Sequence, residues 1–270
     1  MSDFVPVIGL EIHAELLTKT KIFCGCESCF GGVPNTRVCP VCLGFPGTLP
    51  MLNERAVELA KKAGTLFFCK INENYRFDRK SYFYPDLPKG YQITQYDAPI
   101  CSSGHAGDIR IKQIHLEEDA GKLLYNENGI EIDFNRAGVP LIEIVTMPDF
   151  RTPEEVEIFL RETRDRLREH EICDGKMEQG SFRCDVNISL CREGETALGV
   201  RCEIKNLSSI RGTKRAIIAE IERQSEILRS GGTVEAVTLR FDEKKRTVTP
   251  TRSKESGQDY RYFRDPDLLR

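Results

Sequence analysis

The chain has 270 residues, 40% of them hydrophobic, and a formal net charge of −3. That is enough apolar material for one full core with a small appendage, and too little positive charge for a protein coated in nucleic acid. No basic segment followed by an apolar run opens the sequence and no stretch approaches membrane-spanning length, which predicts a cytoplasmic protein. Eleven cysteines, an odd count in a long chain, fit thiols and metal ligands in a reducing compartment rather than a disulfide framework.

Residues 7–15, Val-Ile-Gly-Leu-Glu-Ile-His-Ala-Glu, predict a strand with Glu11, His13 and Glu15 on one side and Leu10, Ile12 and Ala14 on the other. Then come Cys24-Gly-Cys26, Cys29 and Cys39-Pro-Val-Cys42. The spacing is that of a zinc ribbon over residues 22–45, with four thiolates closing a tetrahedral Zn²⁺ site and leaving no open position for chemistry. Five cysteines compete for four places: either Cys24 with Cys26, or Cys26 with Cys29, supplies the first pair. Residues 53–68 keep helical spacing through Ala56, Val57, Ala60 and Ala63 behind an Asn53 N-cap.

Residues 77–92 are rich in aromatics and cations and carry two prolines, which predicts a shaped loop. Arg79, Lys80 and Lys89 are candidate phosphate ligands there, and Tyr82, Tyr84 and Tyr91 candidates for stacking on a base or ribose. A packed loop with surface cations is the competing reading of the same composition. The densest acidic run is His115-Leu-Glu-Glu-Asp-Ala-Gly-Lys122, of which at most two carboxylates can meet one metal. Glu118 is the first choice and Glu117 the reserve.

A turn over residues 135–140 leads into a strand in which Glu143 opposes Ile142 and Ile144. Thr152-Pro-Glu-Glu155 is a capping box opening an amphipathic helix through Val156, Phe159, Leu160 and Leu167. In residues 183–189 Asp185 and Asn187 oppose Val186 and Ile188, and Glu203 follows in a short strand over 202–206. A second scaffold helix is expected over 213–230, with Ile217, Ile218, Ile221 and Leu228 on its buried face and Gly231-Gly232 as its stop. Two basic clusters, Arg201, Lys205, Arg211, Lys214, Arg215 and Arg240, Lys244, Lys245, Arg246, Arg252, Lys254, are either solvated surface or contacts for RNA phosphates. The tail after Val248 is polar up to Tyr260-Arg-Tyr-Phe263, and Asp265-Pro-Asp267 reads as the approach to a domain edge.

Four strands far apart in sequence thus each offer a carboxylate from a polar face, and one sheet would gather Glu11, His13, Glu143, Asp185 and Glu203 into an acidic floor. Taken alone, any one of these residues would be read as facing water. Crowded together they call for a hard cation such as Mg²⁺, which takes one or two carboxylates and completes its shell with water and substrate phosphates. The sequence has no G-x-x-x-x-G-K-[ST] and no G-x-G-x-x-G, so a nucleotide would be held through metal rather than in a glycine cradle. It also carries no Gly/Ser-rich amidase stretch, and is expected not to make its own ammonia.

The motifs occur in a telling order. Residues 7–13, the pairs Cys24/Cys26 and Cys39-Pro-Val-Cys42, Phe77-Asp-Arg-Lys-Ser-Tyr-Phe-Tyr-Pro-Asp86, the run 115–122, Asn135-Arg-Ala-Gly-Val-Pro-Leu-Ile-Glu-Ile-Val145 and Gly180-Ser-Phe-Arg-Cys-Asp185 together resemble the B subunit of the aspartyl/glutamyl-tRNA amidotransferases, from about residue 5 onward. The resemblance implies one α+β domain over 1–270, an antiparallel-sheet cradle similar to the glutamine synthetase and guanido kinase fold. It implies that ATP phosphorylates Glu or Asp misacylated on tRNA-Gln or tRNA-Asn, and that ammonia then displaces the phosphate. In that family the ammonia comes from the amidase A subunit of a heterotrimer, which a small C subunit makes complete. Carried over residue by residue, the catalytic metal site is Glu11, His13, Glu118 and Glu143, with Asp185 and Glu203 completing the floor for ATP and Mg²⁺. Arg79, Lys80, Lys89 and Lys205 would contact the nucleotide, and Cys24, Cys26, Cys39 and Cys42 would hold zinc. Three departures stand out: Cys29 replaces a non-cysteine, the segment between Pro99 and Ile109 is short, and the helical domain and tail that grip tRNA in the family are expected beyond the point where this sequence stops. The rival expectation is a zinc-stabilised RNA-binding or scaffold module that kept the cradle without turnover.

Overall fold

The computed structural model describes residues 4–268 except 128, 193, 195, 196, 208 and 254–259, and at 206, 252 and 253 the backbone alone. Fourteen strands, three α-helices and one short 3-10 helix (Met177–Gln179) follow one another among these residues. The first half contains β1 (Phe4–Glu15), α1 (Glu54–Leu66), β2 (Lys70–Ile71), β3 (Asp78–Ser81), β4 (Tyr91–Thr94), β5 (Cys101–Ala106), β6 (Ile109–Glu118) and the hairpin β7 (Lys122–Asn126) with β8 (Gly129–Asp133). The second contains β9 (Pro140–Thr146), α2 (Pro153–Glu169), β10 (Phe182–Arg192), β11 (Cys202–Leu207), α3 (Ile210–Arg229), β12 (Val237–Asp242), β13 (Thr247–Ser253) and β14 (Phe263–Arg264).

Nine strands form one sheet in the order β13-β12-β11-β10-β1-β9-β6-β5-β2. Alternation decides its two faces, as the sequence predicts. Ile8, Leu10 and Ile12 of β1, Ile114 and Leu116 of β6, Ile142 and Ile144 of β9, and Val186 and Ile188 of β10 all belong to one buried cluster. The same cluster takes in Ala56, Val57, Ala60 and Ala63 of α1, Val156, Phe159, Leu160 and Leu167 of α2, and Ala216 and Ile217 of α3, so the helices cover this face. At about 25 cal/mol per Å² of apolar surface removed from water, that layer is the main source of stability. Its register is what aligns the polar side chains on the reverse face.

The antiparallel expectation holds for every pairing in this sheet but one. β11 and β12 run parallel, because α3 lies between them in sequence and a crossover helix returns the chain in the same direction. α2 starts as expected, with Thr152 accepting from the Glu155 amide and the Glu155 side chain reaching back, a complete capping box. α3 starts three residues earlier than predicted, where Ser209 accepts from the Gly212 amide at 2.9 Å. Its buried face also differs: Ile217 is buried, but Ile218 is 38% exposed and the inward positions include Thr213, Glu220 and Gln224. Glu220 is accommodated because Arg223 and the Gln224 amide donate to it at 2.8 and 2.6 Å.

Residues 77–92 are less of a loop than composition suggests, since β3 and β4 pair across it and only the middle is irregular. The tail is likewise not a mere edge. β12 and β13 form a hairpin, and residues 263–264 add β14 to β3. Asp265, read as a boundary residue, is fully buried.

Candidate active site and metal centres

Strand register assembles the floor. Glu11 lies opposite Asp185 on β10, and His13 lies opposite Glu143 on β9. On the far side of β9, Glu143 is also opposite His115 of β6, while Asn187 is opposite Glu203 of β11. Two groups of ligands result, each with donor atoms within 4.8 Å of one another: His13, Glu117 and Glu143, and Glu11, Asp185 and Glu203. They sit side by side, since Glu11 and His13 are alternate residues of one strand. The cavity above them has room of about 420 Å³ and is walled further by Lys80, Tyr82, Asp119 and Arg183.

In the first group, His13 Nε2 stands 3.6 Å from Glu117 and 3.8 Å from Glu143. His115 Nε2 approaches Glu143 at 2.9 Å. Burial works against charging His115, but Glu143 and Glu117 outweigh it and lift its pKa to about 10. Burial likewise opposes ionisation of Glu143, and His115 and His13 nevertheless hold it below the ordinary carboxylate range. In the second group, Lys205 reaches Asp185 and Glu203 at 2.8 Å each, and Asn187 donates to Glu11 at 3.0 Å. Burial, with Glu143 beside it, raises the Glu11 carboxyl against the pull of Lys205. The donor sets, carboxylates with one imidazole and an open cavity, suit Mg²⁺ with water and phosphate completing the shell.

Three expected members lie elsewhere. Glu118 is on the other side of β6 from Glu117, where it accepts from Lys89 at 2.6 Å and from the Ile93 amide at 2.8 Å. Gln113, His115 and Glu117 share one phase of β6, and Ile114 and Leu116 the other. Strand alternation therefore selects Glu117 for the floor, a signal available in the sequence once the run is read as a strand. Lys89 is drawn away from the cavity by the same Glu118 pair. Arg79 is fixed by Asp265 at 2.7 Å and Asp267 at 2.9 Å, with its guanidinium over the Tyr91 ring at 4.2 Å. Lys80 and Lys205 do face the site. His115 is the contributor that sequence reasoning passed over. Glu118→Gln is expected to leave metal binding intact but to destabilise the fold by about 3 kcal/mol, since it strands the Lys89 ammonium in a buried position. Denaturant unfolding and a metal titration check both halves; loss of metal without loss of stability would reverse the assignment of the two glutamates.

The five cysteines of residues 22–45 differ in position. The sulfurs of Cys24, Cys26, Cys39 and Cys42 all lie within 4.8 Å of one another. Cys29 is exposed and instead accepts from Arg37 at 2.8 Å. A turn places the Cys39 amide 3.2 Å from Cys42 Sγ, and the Lys21 ammonium lies 3.6 Å from the same sulfur. A hydrogen bond from Cys24, helped by the Cys39 amide, pulls the Cys42 thiol down to about 4, while the same bond pushes Cys24 up. Four sulfurs with an amide aimed at one of them fit a closed tetrahedral zinc site.

Of the basic clusters, much is already engaged. Lys214 pairs with Glu154 and Glu157 at 3.0 and 2.9 Å, and Arg215 with Glu243 at 2.8 Å. Lys254 and the side chain of Arg252 lie outside the described residues. No helix among those residues is long and apolar enough to cross a membrane.

Residues 6–270 match the model of the GatB/GatE catalytic domain family. Among curated relatives, the B subunit of the aspartyl/glutamyl-tRNA(Asn/Gln) amidotransferase of Thermoanaerobacter sp. (strain X514) is 53% identical over 275 residues, covering 98% of this chain and 58% of the relative. The B subunit of the same name from Clostridium tetani (strain Massachusetts / E88) is 52% identical over 276 residues, covering 99% of this chain and 58% of the relative. The chain therefore spans somewhat over half the length of the curated relatives it matches. With the match running through every strand of the acidic floor, the chain belongs to the GatB/GatE catalytic domain family.

Proposed function

We propose that this chain is the catalytic cradle of a tRNA-dependent amidotransferase. It would use ATP and Mg²⁺ to phosphorylate the side-chain carboxylate of Glu or Asp misacylated on tRNA-Gln or tRNA-Asn, and then present the acyl phosphate to ammonia. The reading rests on one observation: two adjacent ligand groups, His13/Glu117/Glu143 and Glu11/Asp185/Glu203, of which all but Glu203 line one open cavity. It assigns the fold to the glutamine synthetase and guanido kinase type, consistent with an α+β domain built on a mostly antiparallel sheet.

A carboxylate is a poor electrophile, and conversion to an acyl phosphate creates a leaving group. Paired Mg²⁺ ions, when bound, neutralise the triphosphate so that an anionic nucleophile can approach. The chain's own residues do the rest. His115 and Asn187 fix the rotamers of Glu143 and Glu11, Lys205 keeps Asp185 and Glu203 together, and Lys80 offers a cation to the phosphoryl group from the cavity wall. Zinc at the four cysteines is structural in this scheme, ordering residues 22–45. Ammonia is assigned to an amidase A subunit, and a small C subunit makes up the rest of a cytoplasmic heterotrimer, because this sequence carries no amidase motif. The binding-module alternative leaves two metal-ready groups without a role.

Incubating the chain with ATP, Mg²⁺ and Glu-tRNA-Gln, with either ammonium chloride or glutamine, tests the scheme through the amino acid released from the tRNA. Glutamine should form slowly from ammonium, and from free glutamine only once the amidase is added. Abundant product from glutamine without a partner would end the division of labour. Failure of the complete complex to release ADP on adding misacylated tRNA would end the kinase assignment.

A further inference from the structure

Lys80 lines the cavity beside the His13/Glu117/Glu143 group from β3, and one of the two rings against it, Tyr260, comes from the last described residues of the chain. Residues 260–268 run along β3 as a strap. The Ser81 amide donates to the Tyr260 carbonyl at 2.8 Å, Phe263 pairs opposite Arg79, and the Asp265 amide donates to Phe77 at 2.9 Å. Asp265 anchors the strap: fully buried, it holds Arg79 and accepts from the amides of Asp267 and Leu268 at 2.8 and 3.0 Å.

Alternation along β3 sends Arg79 to one side and Lys80 to the other. The Lys80 ammonium lies 4.7 Å from the centre of the Tyr260 ring and 5.9 Å from that of Tyr82. Those two rings meet edge to face at 5.9 Å, and Tyr262 meets Tyr260 at 6.1 Å while stacking on Tyr96 at 4.1 Å. The rings are thus buttressed at both ends. An aromatic face holds a cation through its quadrupole without neutralising it. A carboxylate clasp would pair off the charge, whereas a ring leaves it available to a phosphate.

We infer that Tyr260 is a positioning residue for Lys80: carried in by the strap, its ring restrains the ammonium so that it points at the metal-ready cavity. What the ammonium meets there, a bound triphosphate, rests on the function proposed above; the clasp itself does not. A lysine with four rotatable bonds would otherwise sample many directions, so the gain lies in orientation.

Site-resolved acetylation of Lys80, read by mass spectrometry on the full chain, tests the clasp without reference to activity. Tyr260→Leu replaces the ring with a smaller aliphatic side chain and is expected to raise the Lys80 labelling rate about fivefold, with Tyr260→Phe keeping the parent rate. In turnover assays the leucine variant should raise KM for ATP more than it lowers kcat, again with rescue by phenylalanine. Equal labelling of Lys80 in the leucine variant and the parent, with circular dichroism showing a folded chain, overturns the inference; if that variant does not fold, Tyr260→Met decides the same comparison. Protection of Lys80 by Mg²⁺-ATP in the unsubstituted chain is read separately. Its absence counts against the phosphate reading and leaves the labelling comparison to judge the clasp.

Discussion

Glu143→Gln should lower magnesium-dependent ATP turnover by more than about a hundredfold, which is the upper end of what losing even an outer-shell partner of a metal costs. Glu143 is the residue whose removal touches most of the floor, being opposite His13 on one side and His115 on the other. The fold should survive, because the neighbours Ile142 and Ile144 are fully buried on the reverse face and unaffected. Glu117→Gln should behave alike. Parent-level turnover by both variants in an otherwise competent complex would remove the acidic floor from the mechanism. Glu11→Gln adds a stability arm in the metal-free protein. Burial, Glu143 and the other acids of its group raise the Glu11 pKa in the folded state, so the native form holds its proton longer than the unfolded chain and stability falls as pH rises through that interval. Glutamine abolishes the titration. The variant should therefore be more stable than the parent at neutral pH, with the difference fading in acid, as thermal unfolding without metal would show.

Cys39→Ser is expected to take zinc content from about one per chain to near zero, and Cys29→Ser to leave it unchanged. Structural zinc contributes binding energy directly to folding, on the order of 10 kcal/mol in isolated fingers, comparable to the whole stability of a domain. Here the loss should be local first. Residues 22–45 are mostly turns with few strand pairings, whereas β1 is secured by β9 and β10. Limited proteolysis after chelation should cut within 22–45 while the sheet resists. Zinc retained by Cys39→Ser, or lost from Cys29→Ser, would mean a different set of four.

The sheet was legible because period-two alternation is a local signal: Leu10, Ile12, Ile142, Ile144, Val186 and Ile188 declare their face within a few residues. Pairing order was not, since nothing near Glu11 in sequence announces Asp185. The choice between Glu118 and Glu117 turns on strand phase, since β6 puts Glu117 among the floor ligands and Glu118 against Lys89. Arg79 and Lys89 are drawn elsewhere for a shared reason: each pairs with a buried carboxylate, Asp265 and Glu118, supplied by distant sequence. Ile218 lies off the inward face because Glu220, held by Arg223 and Gln224 as a satisfied polar group, occupies an inward position that apolar spacing alone does not reveal. The parallel β11–β12 pair is not legible from alternation, which fixes the faces of a strand but not the direction of its neighbour.

The placement of β1 at the centre of the sheet has a consequence for synthesis. Its partner β10 lies roughly 170 residues downstream, so at ribosomal rates β1 waits on the order of ten to thirty seconds for its neighbour to emerge. Until β9 emerges the N-terminal strand has both edges open, and the edge that β10 covers stays open longer still, the condition that invites mispairing. The two ligand groups are completed at different times: His13/Glu117/Glu143 needs nothing beyond β9, whereas Glu11/Asp185/Glu203 must wait for β10 and β11. Only the second group is therefore a report that the central strands have all arrived.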